Sequence, residues 1–197
     1  MKNVRKIVGI LLVVAMVFGV MSTAVYAAVA DGQSIRYVVV ADKDSYKAND
    51  IATFTVYAEV AADAAPTDGT VELLLNYTGS QFSPIADYSD SDLDVHGVDI
   101  SNSPLNGNVS ITDSYVLDGT NDAMFDGDIY DGLDESIWIA LVGISGDNLE
   151  GYASELTEVL KFQLKADQDL AKDSFKVLVD IGMSYMTLDG DHMDNQF

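Results

Sequence analysis

The sequence predicts an all-β fold, an antiparallel two-sheet β-sandwich of about eight or nine short strands. Three observations point there. Runs rich in β-branched and aromatic residues alternate apolar with polar at a period of two. Turn residues, chiefly Gly, Asn, Asp and Pro, separate those runs at short intervals. No convincing amphipathic helix longer than about ten residues is legible between them. At 197 residues, 48% of them hydrophobic, the chain can bury a core of ordinary size, and one domain is expected.

The first residues stand apart from that domain. Lys2, Arg5 and Lys6 precede an apolar run from Ile7 to Val20, and small residues follow at Val25-Tyr26-Ala27 and Ala28-Val29-Ala30. This is the layout of a secretory signal peptide over residues 1–30, with cleavage after Ala27 or Ala30. It implies a secreted or cell-surface, extracellular protein. Left uncleaved, the run would be an anchor, since about 20 apolar residues span a bilayer. The folded module then occupies residues 31–197.

Within the module, Ser34 to Asp42 reads as a strand, Lys47 to Asp50 as a turn, and Ile51 to Val60 as a half-buried strand with Ala52, Phe54, Val56 and Ala58 inward. Ala61 to Gly69 is small and acidic, contains Pro66, and reads as a loop. Thr70 to Tyr77 alternates again. Val71, Leu73, Leu75 and Tyr77 fall on the core face, and Thr70, Glu72, Leu74 and Asn76 on the other. Ser80 to Asn108 is irregular, with Pro84, Pro104 and the run Asp87, Asp90, Asp92 and Asp94, and offers at most one short strand near Val95 to Ile100. Val109 to Leu117 reads as a strand with Ser110, Thr112 and Ser114 outward, and Asp118 to Glu135 as a second acidic loop.

The most apolar part of the chain follows, as strands Ile137 to Gly143 and Glu158 to Ala166 joined by the turn-rich Ser145 to Glu155. Trp138, Ile139, Leu141, Leu160, Phe162 and Leu164 are expected in the core. Leu156, Val159, Leu160 and Gln163 partly fit helical spacing, but Leu160, Phe162 and Leu164 keep a period of two and favour a strand. Phe175 to Ile181 sets Phe175, Val177, Val179 and Ile181 inward against Lys176, Leu178 and Asp180. The tail from Gly182 to Phe197 turns acidic.

The formal charge of −22, from 10 bases against 32 acids, narrows the partners. Loss of residues 1–27 would leave seven bases against the same acids, a charge of −25. Such a surface repels nucleic acid and anionic lipid. Cysteine is absent although an exported chain is free to form disulfides, so stability must come from the core.

Four pieces of the chain, in this order, resemble a cohesin domain, the jelly-roll β-sandwich of cellulosomal scaffolding proteins. VVVADKDSYKANDIATFTVYAEV is similar to the opening strand, turn and second strand, and GTVELLLNY to the third strand with its terminal tyrosine. SIWIALVGISGDNLEG is similar to the sixth strand and its loop, and ELTEVLKFQLKADQDLAKDSFKVLV to the seventh strand, turn and eighth strand. They cover most of Val38 to Ile181. Departures stand beside them: Thr78-Gly79 follows Tyr77 where the family has an aspartate and a turn residue, and Ile144 replaces an acidic residue. The family's last strand, which lies beside the first, has no obvious counterpart before Phe197: either the module lacks it, or Met183 to Phe197 serves that role poorly.

The resemblance implies a non-catalytic module that recognises a dockerin-type protein partner through the sheet face of strands 8, 3, 6 and 5. Carried onto this chain, that face would present Thr70, Glu72, Leu74, Asn76, Ser110, Thr112, Ser114, Lys176, Leu178 and Asp180. Leu74 and Leu178 would supply apolar contact and Glu72 would meet a basic or hydroxyl group. The alternative on the same sandwich is a carbohydrate-binding or cell-surface structural module, which for polysaccharide needs a row of exposed flat rings.

Other chemistry has weaker support. No cofactor is required. A structural calcium ion is considered at Asp126 to Gly132, where clustered carboxylates could supply its oxygens. Those residues miss the EF-hand template, because Tyr130 holds the fifth position and the glycine falls one place late. The two histidines, His96 and His192, lie in acidic stretches without a metal-ligand or triad neighbour, and no enzyme is expected. Asn76-Tyr77-Thr78 and Asn108-Val109-Ser110 match the N-glycosylation pattern and are read as chance.

Overall fold

The computed structural model describes residues 35–60, 66–85, 98–105, 110–118, 133–144, 155–179, 185–188 and 191–193. The expected signal peptide and most of the two acidic loops lie outside them. The described residues are all-β with no helix, and they form two antiparallel sheets. None of their elements is a helix long and apolar enough to cross a membrane.

The first sheet contains β1 (Ile35–Ala41), β2 (Ile51–Val60), β8 (Thr157–Ala166), β4 (Phe82–Pro84) and β5 (Val98–Asp99). β1 pairs with β2 and β2 with β8, while β4 and β5 lie one after the other along the far edge of β8. The second sheet contains β3 (Pro66–Tyr77), β6 (Ser110–Asp118), β7 (Glu135–Ile144), β9 (Val177–Val179), β10 (Tyr185–Leu188) and β11 (Asp191–Met193). Here β7 lies between β3 and β6, and the other edge of β3 takes β9 and β10 in series.

Strand β2 shows how sequence produces burial. Ala52, Phe54, Val56, Ala58 and Val60 are at most 1% exposed, while the residues between them are exposed or half-buried. A period-two apolar set on a pleated strand can have no other outcome when one face meets a core. The matching sets are Val71, Leu73, Leu75 and Tyr77 on β3, and Ile137, Ile139 and Leu141 on β7. Residues of both sheets enter one hydrophobic cluster.

One end of that core is aromatic. Phe54 stacks on Phe162 with centroids 5.2 Å apart, and Phe82 meets Phe54 edge-on at 5.6 Å. Phe175 and Tyr46 complete the group at 5.3 Å from each other. Tyr46 is 3% exposed and its hydroxyl donates to Asp42 Oδ1 at 2.7 Å, an oxygen that also accepts Thr53 N–H at 2.9 Å. Burial, then the bond to Asp42, pushes the Tyr46 phenol above its ordinary range.

The turns near this end are tied together. Asn49 adopts φ 72°, a left-handed conformation that asparagine tolerates better than most residues, and its N–H donates to the Ala166 carbonyl. Asp169 receives Lys47 Nζ at 2.7 Å and Ala48 N–H at 3.0 Å, clamping the β1–β2 connection to the residues after β8. The Lys47 hydrogen bond, then that of Ala48, holds the Asp169 carboxyl below the usual range.

Several strand expectations need correction. β3 begins at Pro66, inside the expected loop, and β4 was not foreseen at all. The tail, considered as a poor closing strand beside the first, forms the β10–β11 hairpin instead, and β10 pairs with β3 rather than with β1. Between Tyr152 and Leu164 the described residues contain strand and no helix. β8 carries a β-bulge, because Val56 pairs with Leu160 and Tyr57 with Glu158. The bulge buries Val159 and Leu160 side by side, and that adjacency imitated helical spacing.

Candidate binding face

The expected partner-binding residues gather on the second sheet. Thr70, Glu72, Leu74 and Asn76 lie in β3, Ser110, Thr112 and Ser114 in β6, and Leu178 in β9 with Lys176 just before it. Asp180 is outside the described residues. On β3, Glu72, Leu74 and Asn76 alternate with the core residues and therefore belong to the outer side of the sheet.

Registers across β7 define the rows of that outer side. Thr70 and Ser110 both pair with Val142. Glu72 pairs with Ala140, which pairs with Asp113, and Tyr185 lies beyond Glu72 on β10. Leu74 pairs with Trp138, which pairs with Tyr115. Asn76 pairs with Leu178 on one side and with Ser136 on the other.

Three expectations about this face change. First, Ser114 is the register partner of core-facing Ile139, because the register shifts between Ile111 and Asp113 and leaves Thr112 as the extra residue. Asp113 and Tyr115 take the positions opposite Ala140 and Trp138. Second, Leu74 and Asn76 are not openly exposed: they are 3% and 0% accessible. Leu74 is buried without belonging to the core cluster, as is Leu133. Asn76 Oδ1 accepts the Ser136 hydroxyl at 2.7 Å, a buried polar pair satisfied in place.

Third, Trp138 is not a core residue. It is half-buried and absent from the cluster that holds its neighbours Ile137 and Ile139. Sequence reasoning placed it inside because β7 is apolar on both of its faces. The same fact, in a strand flanked on both edges, marks an outer face that is itself apolar.

The accessible part of the face is mixed. Glu72 and Leu178 are half-buried and Lys176 is exposed. At one end of β3, the Tyr77 hydroxyl donates to Glu135 Oε2 at 2.8 Å and Gly79 N–H to Asp134 Oδ1 at 2.7 Å, which fixes the turn after the strand. Asn76, fully buried and hydrogen-bonded, offers no amide for a glycan, and Asn108 lies outside the described residues.

No three His, Cys, Asp or Glu side chains among the described residues are grouped to hold a metal ion. The calcium stretch Asp126 to Gly132 lies outside them, as does His96, while His192 sits in β11 opposite Thr187. No known protein family, no curated protein and no solved structure matches the chain.

Proposed function

We propose that this chain is a secreted, non-catalytic cohesin-like module that recognises a dockerin-type protein partner through the outer face of its second sheet, in a cellulosome-like or cell-surface assembly. The supporting observation is the order of the strands once interruptions are removed. β4 and β5 lie along one edge of β8, opposite Leu164 and Phe162, and together make one broken strand. β9 and β10 likewise follow one edge of β3, opposite Leu75 and Glu72.

Counted this way, β6, β7, β8 and the β9/β10 pair become the fifth, sixth, seventh and eighth strands. The second sheet then runs β11, 8, 3, 6, 5; its last four strands are the set that the resemblance assigns to the partner face, β11 adds a further edge beyond the eighth, and this order supports the jelly-roll reading. Fold alone never fixes a ligand, so binding itself must be measured.

A second reading, a carbohydrate-binding module, is favoured by the half-buried Trp138 with Tyr115 as its register partner. One experiment separates the two. The purified chain is mixed with a panel of dockerins, with calcium and with chelator, and separately with insoluble polysaccharides. Calcium-dependent capture of a dockerin is the expected result. Retention on cellulose with no dockerin bound would reverse the preference.

A further inference from the structure

We propose that Trp138 is the apolar anchor of the partner-binding face, and that the partner presents an apolar patch edged with basic groups. The inference rests on the protein-binding reading above and adds a residue which that reading, carried from sequence, had left in the core. Trp138 is the chain's single tryptophan and stands on β7, flanked on both edges by β3 and β6. The β7 side chains that serve the core, Ile137, Ile139 and Leu141, are fully buried, whereas Trp138 keeps part of its surface in solvent.

An antiparallel sheet with one solvated face normally alternates apolar inward with polar outward. Here the row crossing the middle of the face pairs Leu74, itself buried, with Trp138, and of these two apolar side chains Trp138 is the one that reaches solvent. Interface anchors have this character: large aromatic residues near the centre of a patch, enclosed by a more polar rim. Glu72 lies one row away and is half-buried, while Lys176 is exposed beside Leu178.

Charge selects the occupant. At a formal −22, a second copy of this chain or another acidic protein is repelled, and a basic surface is attracted. A heterologous protein module with a basic rim is therefore the fitting partner.

The single tryptophan makes the test direct. A tryptophan-free, calcium-loaded dockerin module is titrated into the full chain while Trp138 emission and its quenching by acrylamide are followed. The free chain should be quenched, binding should shift the emission to the blue and protect it, and association should slow as salt rises. Trp138→Ala should weaken binding at least about tenfold while the variant still unfolds cooperatively, at a melting temperature lowered less than by Phe54→Ala.

Binding to Trp138→Ala at wild-type strength would overturn the anchor and leave the protein-binding reading standing. Binding with no change in emission would do the same without any variant, which covers the case where Trp138→Ala fails to fold. Failure of the wild-type chain to bind any dockerin would overturn both.

Discussion

Phe54→Ala tests the packing on which both sheets depend. Phe54 is 1% exposed on β2, between Ala41 of β1 and Phe162 of β8. Its ring stacks on Phe162 and meets Phe82 edge-on, and Tyr46 and Phe175 each lie 6.5 Å away. Truncation removes the transfer free energy of the ring and leaves a cavity lined by rigid neighbours, for which about 3–5 kcal/mol is usual. Four aromatic neighbours place this site towards the upper end, about 4–5 kcal/mol. For a domain of this size that lowers the melting temperature by roughly 8–20 °C.

Urea unfolding followed by circular dichroism reads the change as a shift in midpoint at constant slope. Phe175→Ala, at a half-buried rim position of the same group, should lose distinctly less. A loss below about 1 kcal/mol for Phe54→Ala, or equal losses at both sites, would refute a single core shared by the sheets.

Further outcomes follow from the polar contacts. Tyr46→Phe should cost about 1.5–3 kcal/mol, the range for a hydrogen bond to a charged group, because Asp42 loses the Tyr46 donor. Since the folded phenol titrates above the ordinary tyrosine value of 10.0, its stabilisation is present below pH 10 and is lost as pH rises beyond it. Melting temperatures should therefore decline less steeply above pH 10 in Tyr46→Phe than in the wild type.

Asp169→Asn should destabilise slightly, and less so at high salt, because the pair with Lys47 is exposed. The depressed Asp169 carboxyl contributes above the ordinary value of 3.8 and loses that contribution as pH falls through its lower folded value, so the variant should show a flatter acid limb. In Gly79→Ala the new methyl would run into the Glu135 carboxylate that accepts the Tyr77 hydroxyl. A loss of about 1–2 kcal/mol is expected, and much of it should vanish in a Glu135→Ala background, as chemical denaturation of the double mutant would show. Expression in a glycosylating host should leave Asn76 unmodified by mass spectrometry, because its side chain is buried against Ser136.

Strand identity was legible wherever apolar alternation ran unbroken. β2 matches its expected bounds, and β1, β6, β7 and β8 differ from theirs by one or two residues at an end. β3 starts earlier, because Pro66 heads the strand despite lacking an N–H, as proline can at a strand's first residue. β9 falls inside the expected strand Phe175 to Ile181, and β5 inside Val95 to Ile100, where one short strand was offered. β4, β10 and β11 were not delineated, because at three or four residues each carries too few alternations to declare itself. Their pairing with β8, β3 and each other makes them strands.

The face was less legible than the fold. Period two gave Glu72, Leu74 and Asn76 their side of β3, but not the burial of Leu74 and Asn76, the latter hydrogen-bonded to Ser136, 60 residues on. A single extra residue near Thr112 exchanged the β6 positions opposite β7, a change that no composition reveals. Trp138 was misplaced because a strand with two apolar faces has the same sequence whether or not its second face meets the core.

The most direct test of the protein-binding reading is a nitrogen–proton correlation spectrum of the chain titrated with a calcium-loaded dockerin. Trp138 supplies the one tryptophan indole signal, and the amides of β3, β7 and β6 report the outer face. The predicted result is a saturable shift of the Trp138 indole and of Glu72, Leu74 and Trp138 amides, with Thr53 and Thr55 of β2 unmoved. Shifts confined to β1 and β2, or no shift with any dockerin, would contradict it.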